Sequence, residues 1–217
     1  MKQSKKLLYA VIGTFAAFVM WTVLVRVVDV EAIGPRESCV GFSALNAWVH
    51  TLTGVHMLLY VITDWLGLVP IGVAFGFALL GLIQWIKRKS PWKVDRSILL
   101  LGGFYFVVIA FYLLFEFVVV NRRPVLIDGY LEASYPSSTT MLVLCVMPTA
   151  AMQWQARIQN RVVRRGILFA TAVFVGFMVI GRLFSGVHWI SDIIGGAMLS
   201  ASLVTAYAWA VQKLCGE

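Results

Sequence analysis

The sequence predicts an all-α polytopic membrane protein: a six-transmembrane-helix bundle that forms a single integral membrane domain over residues 1–217. Composition is the first reason, because 60% of the residues are hydrophobic and 13% are charged, which is too apolar for a soluble domain. Patterning is the second, because the apolar residues gather into runs near the length of about 20 residues that a helix needs to cross a bilayer.

Six apolar runs are long enough to span a membrane. The first run follows a cluster of lysines and is longer than the apolar core of a signal peptide, so we expect an uncleaved helix. The expected spans are Leu7–Val25, Leu66–Ile86, Ile98–Val120, about Ser137–Trp154, Ile167–Phe184 and Trp189–Val211.

A mixed segment, Asp29–Asp64, separates the first two spans. It begins with acidic residues, and its moderately apolar part from Ala44 to Ile62 is interrupted by histidines and threonines. We expect this part to lie at the extracytoplasmic surface, or to dip into the membrane without crossing it. A seventh crossing here would place the two most basic loops outside, against the usual bias of short loops.

The distribution of Lys and Arg predicts the orientation. Basic residues collect on cytoplasmic loops, and six crossings that start inside put 13 of the 18 basic residues on that side. Both termini are then cytoplasmic, and the net charge of +8 needs no nucleic acid partner. The 13 residues are Lys2, Lys5, Lys6, Lys87, Arg88, Lys89, Lys93, Arg96, Arg157, Arg161, Arg164, Arg165 and Lys213.

The stretch Gly181–Asp192, GRLFSGVHWISD, places a histidine and two opposite charges in apolar sequence, where ionisable groups are usually functional. On a helix, Asp192 would lie over His188 and hold one ring nitrogen, which leaves the other free to attack. The planar guanidinium of Arg182, beyond a break at Ser185-Gly186, suits a phosphate. The alternative is a membrane-edge histidine held by its neighbouring carboxylate, with no chemistry.

Two other outward-facing stretches accompany this one in the predicted topology. Residues 121–124, Asn-Arg-Arg-Pro, end the third span, and residues 135–140, Tyr-Pro-Ser-Ser-Thr-Thr, start the fourth. Proline followed by hydroxyl residues is a helix-start pattern, and the free amides of a helix amino terminus favour an anion. Simple helix capping and an interfacial arginine anchor are the alternatives. The candidate phosphate-binding residues are Arg123, Arg182, Ser137, Ser138 and Thr139.

These three stretches resemble the type 2 phosphatidic acid phosphatase family of membrane lipid phosphatases. The motifs of that family are K-x6-R-P, P-S-G-H and S-R-x5-H-x3-D, and the matches occur here in the same order. The matching residues are Arg123 and Pro124 for the first motif, Pro136 and Ser137 for the second, and Arg182, His188 and Asp192 for the third.

The resemblance implies a catalytic role for each matching residue. His188 would attack phosphorus and become phosphorylated, Asp192 would orient it, and Arg123 and Arg182 would hold the phosphoryl oxygens. The family needs no metal, and the resemblance implies no other cofactor. The expected partners are the lipid bilayer and a lipid phosphate or diphosphate substrate in the cell membrane, reached from the extracytoplasmic side.

This chain departs from the family pattern at two important positions. Glu116 stands where the family has lysine, and Thr139 stands where the family has the histidine that acts as general acid. One interpretation is a phosphatase for a lipid diphosphate, such as undecaprenyl diphosphate, whose phosphate leaving group needs little protonation. The other is a catalytically degenerate relative that binds or carries a phosphorylated lipid without hydrolysing it.

Glu116 and Arg122 are possible modulators of the site. A carboxyl at the membrane edge can be protonated near neutrality and donate to the leaving oxygen. We favour instead a salt bridge from Glu116 to Arg122 or Arg123, which would keep the carboxylate ionised. His50 and His56 lie on the same outer side and are further candidates for the missing acid.

Overall fold

The computed structural model describes residues 2–216 and shows a helical bundle with one small hairpin, so the predicted all-α fold is confirmed. Strands β1 (Glu31–Gly34) and β2 (Ser38–Val40) pair antiparallel around a 3-10 turn. The helices are α1 (Lys2–Val27), α2 (Ser43–Thr53), α3 (Met57–Leu66), α4 (Leu68–Arg88), α5 (Arg96–Phe117), α6 (Ser138–Arg157), α7 (Arg161–Phe184) and α8 (Ile190–Cys215).

Five helical segments among the described residues are long and apolar enough to cross a membrane, and the chain is a multi-pass membrane protein. The sixth predicted span, α6, has 20 residues but is less apolar. It packs against α4, α7 and α8, so many of its side chains face protein rather than lipid. The five segments are Ser4–Val27, Met57–Arg88, Arg96–Phe117, Arg161–Phe184 and Ile190–Leu214.

Helix α6 runs antiparallel to α5. Glu116 near the end of α5 and Ser138 at the start of α6 line the same cavity. At the opposite ends of these helices, the Arg157 guanidinium donates to the Ser97 hydroxyl at 3.1 Å. The helix therefore returns the chain from one end of the bundle to the other, as a sixth crossing requires.

The segment between the first two predicted spans is not a single surface element. It contains the hairpin, α2 and α3, and Gly54 between the helices adopts φ 65° and ψ −163°, which favours glycine. Helix α2 has 11 residues and is about 16 Å long, too short to cross. Helix α3 continues into α4 through the helical backbone of Gly67. Residues 57–62 thus belong to the second membrane-spanning segment, which differs from the prediction.

Helices α6 and α8 occupy the middle of the bundle, and contacts at one end bring three loops together. The backbone amide of Ser137, before α6, donates to the Asp192 carbonyl at 3.1 Å. The Trp189 indole, before α8, donates to the Arg122 carbonyl at 2.8 Å. These bonds join the segment between α5 and α6 to the turn between α7 and α8, and the candidate site lies at that junction.

Candidate active site

His188 lies in the short turn between α7 and α8, and its side chain is buried. The predicted break at Ser185-Gly186 is present: α7 ends at Phe184, and Gly186 has φ 70°. A Cβ atom on Gly186 would lie 2.0 Å from the Gly54 carbonyl oxygen. The loop before α3 approaches so closely that only glycine fits, which holds the histidine turn against the outer segment.

Ser134 joins His188 to Asp192. The predicted helical stacking of these two residues is wrong, because α8 begins at Ile190, after the histidine. The Ser134 hydroxyl donates to Asp192 Oδ2 at 2.5 Å and lies 2.9 Å from His188 Nδ1. Asp192 also accepts from the Trp189 amide and the Asn121 side chain, each at 3.0 Å. The carboxylate thus orients the imidazole through a hydroxyl that is itself held in place.

The hydrogen bonds of His188 assign its tautomer. Arg182 Nη2 donates to His188 Nε2 at 3.2 Å, so Nε2 carries a lone pair and Nδ1 carries the proton given to Ser134. Burial, followed by the positive charges of Arg123 and Arg182, holds the pKa of His188 well below its usual range. The ring is therefore neutral at physiological pH, and its Nε2 lone pair faces the arginines.

Two guanidinium groups, from Arg123 and Arg182, flank the Tyr60 ring. Their central carbons lie 6.0 Å and 5.1 Å from its centroid. Arg123 Nε lies 3.0 Å from the Glu132 carboxylate, and Arg182 Nη1 lies 3.7 Å from that of Asp64. Both arginines are at least nine-tenths buried, so their positive charge is concentrated where little water screens it.

Four buried polar atoms of the motif stretches have neither a hydrogen-bond partner nor an ion-pair partner. Native proteins rarely leave such atoms unsatisfied, and a group of them indicates room for a polar ligand. Two belong to cations and two to hydroxyls, a set that suits an anion. The atoms are Arg123 Nη1, Arg182 Nε, Ser137 Oγ and Thr140 Oγ1.

The predicted helix start after Pro136 is present, since Ser137 precedes the first turn of α6. Ser138 lines a small cavity that also contains His188 and Glu116. Thr139 faces an adjacent apolar cavity between α4, α5 and α6. The structure therefore brings Ser138, at the start of α6, to the cavity of the histidine.

The predicted salt bridge from Glu116 to an arginine is wrong. Helix α5 ends at Phe117, and Arg122 then pairs with Ala133 across a bridge that carries the arginines away from the helix end. Arg123 pairs with Glu132, and the Arg122 guanidinium donates to the Leu131 carbonyl at 2.9 Å. Glu116 instead lines the cavity of His188.

The two outer histidines hold the backbone rather than face the arginines. His50 Nε2 bonds the Gly186 carbonyl at 3.2 Å, and its ring packs on Trp189. His56 Nε2 bonds the Thr53 carbonyl at 2.9 Å, and its side chain is exposed. Both therefore stabilise the loops around the site.

Comparison with protein-family models matches residues 115–215 to the PAP2 superfamily. The resemblance to type 2 phosphatidic acid phosphatases is thereby confirmed, and the matched PAP2 region contains Glu116, Arg123, Arg182, His188 and Asp192.

A solved structure extends the similarity beyond the PAP2 region. It is the crystal structure of a transmembrane PAP2-type phosphatidylglycerolphosphate phosphatase from Bacillus subtilis, with a TM-score of 0.62 and 17% sequence identity. The match covers 95% of this chain and 98% of that chain. At this identity the likeness shows that the two proteins share a fold. No curated protein sequence matches this chain.

Sequence patterns assigned no role to several residues that contact the motif side chains, among them Ser134, Asn121, Tyr60 and Asp64. Ser134 and Asn121 lie within the PAP2 region, in the irregular segment between α5 and α6, where no spacing marks them. Tyr60 and Asp64 lie outside that region, one turn apart on α3. Their four-residue spacing places them on one helix face, which is the one available signal.

Proposed function

We propose that this chain is a lipid phosphatase that removes the terminal phosphate of a lipid diphosphate, such as a polyprenyl diphosphate, through a phosphohistidine on His188. One observation carries the proposal: a buried, neutral imidazole presents its Nε2 lone pair 3.2 Å from Arg182, beside the unpartnered donors of two arginines. A nucleophile and an anion-binding group at one point suit phosphoryl transfer.

The first step transfers the phosphoryl group to the protein. His188 Nε2 forms a bond to the terminal phosphorus while the bridging P–O bond breaks, and the leaving lipid phosphate keeps the electron pair. Arg123 and Arg182 hold the phosphoryl oxygens, with the hydroxyls of Ser137 and Ser138 at the start of α6. Ser134, held by Asp192, accepts the Nδ1 hydrogen bond and fixes the ring.

The second step returns the phosphoryl group to water. Water forms a P–O bond as the P–N bond breaks, and its protons remain on the inorganic phosphate. Neutral His188 is regenerated with its Nδ1 proton in place. The positive charge for both steps comes from the two arginines, so we expect turnover to survive a chelator.

The leaving group decides the substrate class. Thr139 occupies the position of the family's general acid, and its hydroxyl is far too weak an acid to protonate an alkoxide. A phosphate leaving group needs little protonation. We expect diphosphates to be cleaved faster than the corresponding monophosphates by about 100-fold or more.

The experiment is phosphate release by purified protein from matched lipid mono- and diphosphates, with and without a chelator and with His188→Ala as the blank. Thr139→His should reduce the difference in rate between diphosphates and monophosphates, because it should raise monophosphate turnover. Equal rates on both classes in the unmodified protein would contradict the leaving-group argument. Activity that is lost on chelation and restored by a divalent ion would contradict the roles of the arginines.

A second candidate function is binding without hydrolysis, which the substitutions at Glu116 and Thr139 favour. A carrier or sensor of phosphorylated lipids would keep the arginines but release no phosphate. Acid-quenched trapping of phosphohistidine separates the two functions, because a covalent intermediate requires an active nucleophile. A trapped phosphate that disappears in His188→Ala supports hydrolysis; lipid binding without trapping supports the alternative.

We also propose that the site faces the extracytoplasmic side of the cell membrane, with both termini inside, on the basis of the basic loops. Cys39, in the hairpin, is exposed and provides a natural probe, whereas Cys145 is buried. In a Cys215→Ser background, a membrane-impermeant maleimide should label Cys39 in intact cells. A cysteine replacing Trp92, which is 88% exposed between α4 and α5, should react only after lysis. The reverse labelling pattern would mean that the site faces the cytoplasm.

A further inference from the structure

One face of α3 contacts Arg182. Tyr60, Thr63 and Asp64 recur at spacings of three and four residues, which places them on the same side of the helix. The guanidinium carbon of Arg182 lies 5.1 Å from the Tyr60 ring centroid. Its Nη1 donates to the Thr63 hydroxyl at 3.5 Å and lies 3.7 Å from the Asp64 carboxylate. Because α3 lies outside the region matched to the PAP2 superfamily, it adds contacts that the motifs do not describe.

Gly181 on α7 allows α3 to approach this closely. The motif S-R-x5-H-x3-D has serine before its arginine, whereas the residue before Arg182 is glycine. A Cβ atom on Gly181 would lie 2.8 Å from Thr63 Cγ2, closer than two carbon atoms pack. Because Thr63 is buried and its side chain is short, a side chain at position 181 would push α3 away from Arg182.

The Tyr60 ring connects the two arginines of the site. The guanidinium carbon of Arg123 lies 6.0 Å from the ring centroid, so both cations lie over one aromatic ring. The negative face of an aromatic ring attracts a cation, most strongly where water is excluded. Arg123 and Arg182 repel each other, because both are positive and largely buried, and the shared ring opposes that repulsion. Tyr60 therefore stabilises the pair before any phosphate is bound.

We infer that Tyr60 is a positioning residue, whose ring holds the guanidinium groups of Arg123 and Arg182 at the separation at which both bind one phosphoryl group. The close contact of α3 with α7 sets the position of the ring for this role. Tyr60 acts through the arginines rather than on the reacting atoms, so its removal should weaken phosphate binding and leave the hydrogen bonds of His188 in place. The inference rests on the proposed function only in assigning the phosphate to the arginines.

The first experiment measures binding of a farnesyl methylenediphosphonate by isothermal titration calorimetry. A carbon bridge joins the two phosphorus atoms of this analogue and resists hydrolysis, so its binding needs no turnover. Tyr60→Leu removes the ring and should raise the dissociation constant about tenfold, whereas Tyr60→Phe keeps the ring and should change it by no more than about twofold. Trp65→Leu is the matched control and should leave the constant unchanged, because Trp65 is also on α3 but is 70% exposed.

The contact between α3 and α7 gives an independent test with the same analogue. Gly181→Ala should raise the dissociation constant about tenfold, because its Cβ displaces α3 and with it the ring of Tyr60. Alanine has the higher helix propensity, so a weakened α7 is not the cause. Thr63→Ser removes Cγ2, the atom that the new Cβ would meet, and keeps the hydroxyl that accepts from Arg182. Added to Gly181→Ala, it should restore the constant to within about threefold of the wild-type value.

Several results would overturn the inference. Equal losses in Tyr60→Phe and Tyr60→Leu would assign the effect to the hydroxyl, and an equal loss in Trp65→Leu would assign it to the packing of α3 in general. No recovery when Thr63→Ser joins Gly181→Ala would mean that the position of α3 does not control the arginines.

Phosphate release separates this inference from the proposed function. A protein that binds the analogue with the expected ranking of variants, but hydrolyses no lipid diphosphate, would contradict the proposed function and support the role of Tyr60. A protein that hydrolyses lipid diphosphates while Tyr60→Leu binds the analogue as tightly as the wild type would overturn the role of Tyr60 alone.

Discussion

Arginines occupy both ends of the bundle, and their surroundings differ. At the end of the bundle away from the candidate site, which we call the inner end, Arg88 Nη1 lies 2.9 Å from Asp95 and Arg157 Nη2 lies 3.7 Å from the same carboxylate. Gln84 donates a further hydrogen bond to Asp95 at 2.8 Å. At the outer end, Arg182 is 1% exposed, yet its carboxylate partner Asp64 lies 3.7 Å away and is mostly in solvent.

The difference shows that residue type alone does not distinguish a structural cation from a binding cation. Arg88 and Arg157 share the Asp95 carboxylate and also donate to the Lys93 carbonyl and the Ser97 hydroxyl, so the protein itself supplies their partners. The outer pair, Arg123 and Arg182, keeps buried nitrogen atoms without hydrogen-bond partners. Leaving such atoms unsatisfied destabilises the free protein, and an anionic substrate would remove that penalty on binding.

Exchanging arginine for lysine at each end should give the largest contrast. Lysine keeps the charge but loses the planar fork that can bind two phosphoryl oxygens. Arg182→Lys should lower kcat on a lipid diphosphate by about 100-fold or more, with the melting temperature little changed. The matched variant Arg157→Lys should keep kcat within about twofold and lower the melting temperature.

Phosphate release and thermal unfolding of the two purified variants check this contrast. If Arg157→Lys loses as much activity as Arg182→Lys, the two ends do not differ in function. A large loss of melting temperature in Arg182→Lys alone would assign the outer arginine a structural role.

Ser134→Ala should have the next largest effect, because it breaks the link between Asp192 and His188. Removing a group that orients a functional histidine through its second ring nitrogen typically lowers activity by about 10- to 100-fold. The loss should appear in kcat rather than KM, since the arginines that hold the phosphate are untouched.

Ser134→Thr serves as the control, because it retains a hydroxyl at the same carbon and should recover part of the activity. An unchanged kcat in Ser134→Ala would mean that Asp192 acts on the ring by another route. An equal loss in both variants would indicate disturbed packing rather than a lost hydrogen bond.

Most helices could be predicted from the sequence, because apolar runs report the part of a helix that lies in lipid. The ends could not. Helix α7 begins at Arg161, six residues before its predicted apolar run, because helical hydrogen bonding continues past the apolar core. Helix α5 stops at Phe117 although Val118, Val119 and Val120 are apolar, since Val118 adopts non-helical backbone angles.

The candidate site shows a similar limit. Motif spacing pointed to Arg123, Arg182 and His188, which the fold brings together from two separate chain segments. Ser134 and Tyr60 could not be found in this way, because their roles depend on how an irregular segment and a short helix pack against the motif residues. A spacing rule describes one segment, whereas these contacts join several.

The smallest expected effect concerns the inner end and is a change in stability. Burial raises the pKa of Asp95, but hydrogen bonds from Gln84 and Arg88, with the charges of Arg88 and Arg157, outweigh it and leave the pKa below its usual value. A lowered pKa in the folded state stabilises the fold above the pKa of the unfolded chain, which is about 4. That contribution is lost as the pH falls through the lower, folded value.

Asp95→Asn should therefore lower the free energy of unfolding at pH 7 by about 1 kcal/mol or less, because the carboxylate is 39% exposed and solvent screens it. Thermal unfolding of the two proteins in the same detergent, from pH 7 to pH 3, measures the difference. The difference should shrink as the pH falls below about 4, and the two curves should converge only below the lowered, folded-state pKa, where the wild-type carboxyl is also neutral. A difference that stays constant from pH 7 to pH 3 would show that the ionised form is not its source. A loss of phosphate release at pH 7 would extend the functional site to the inner end.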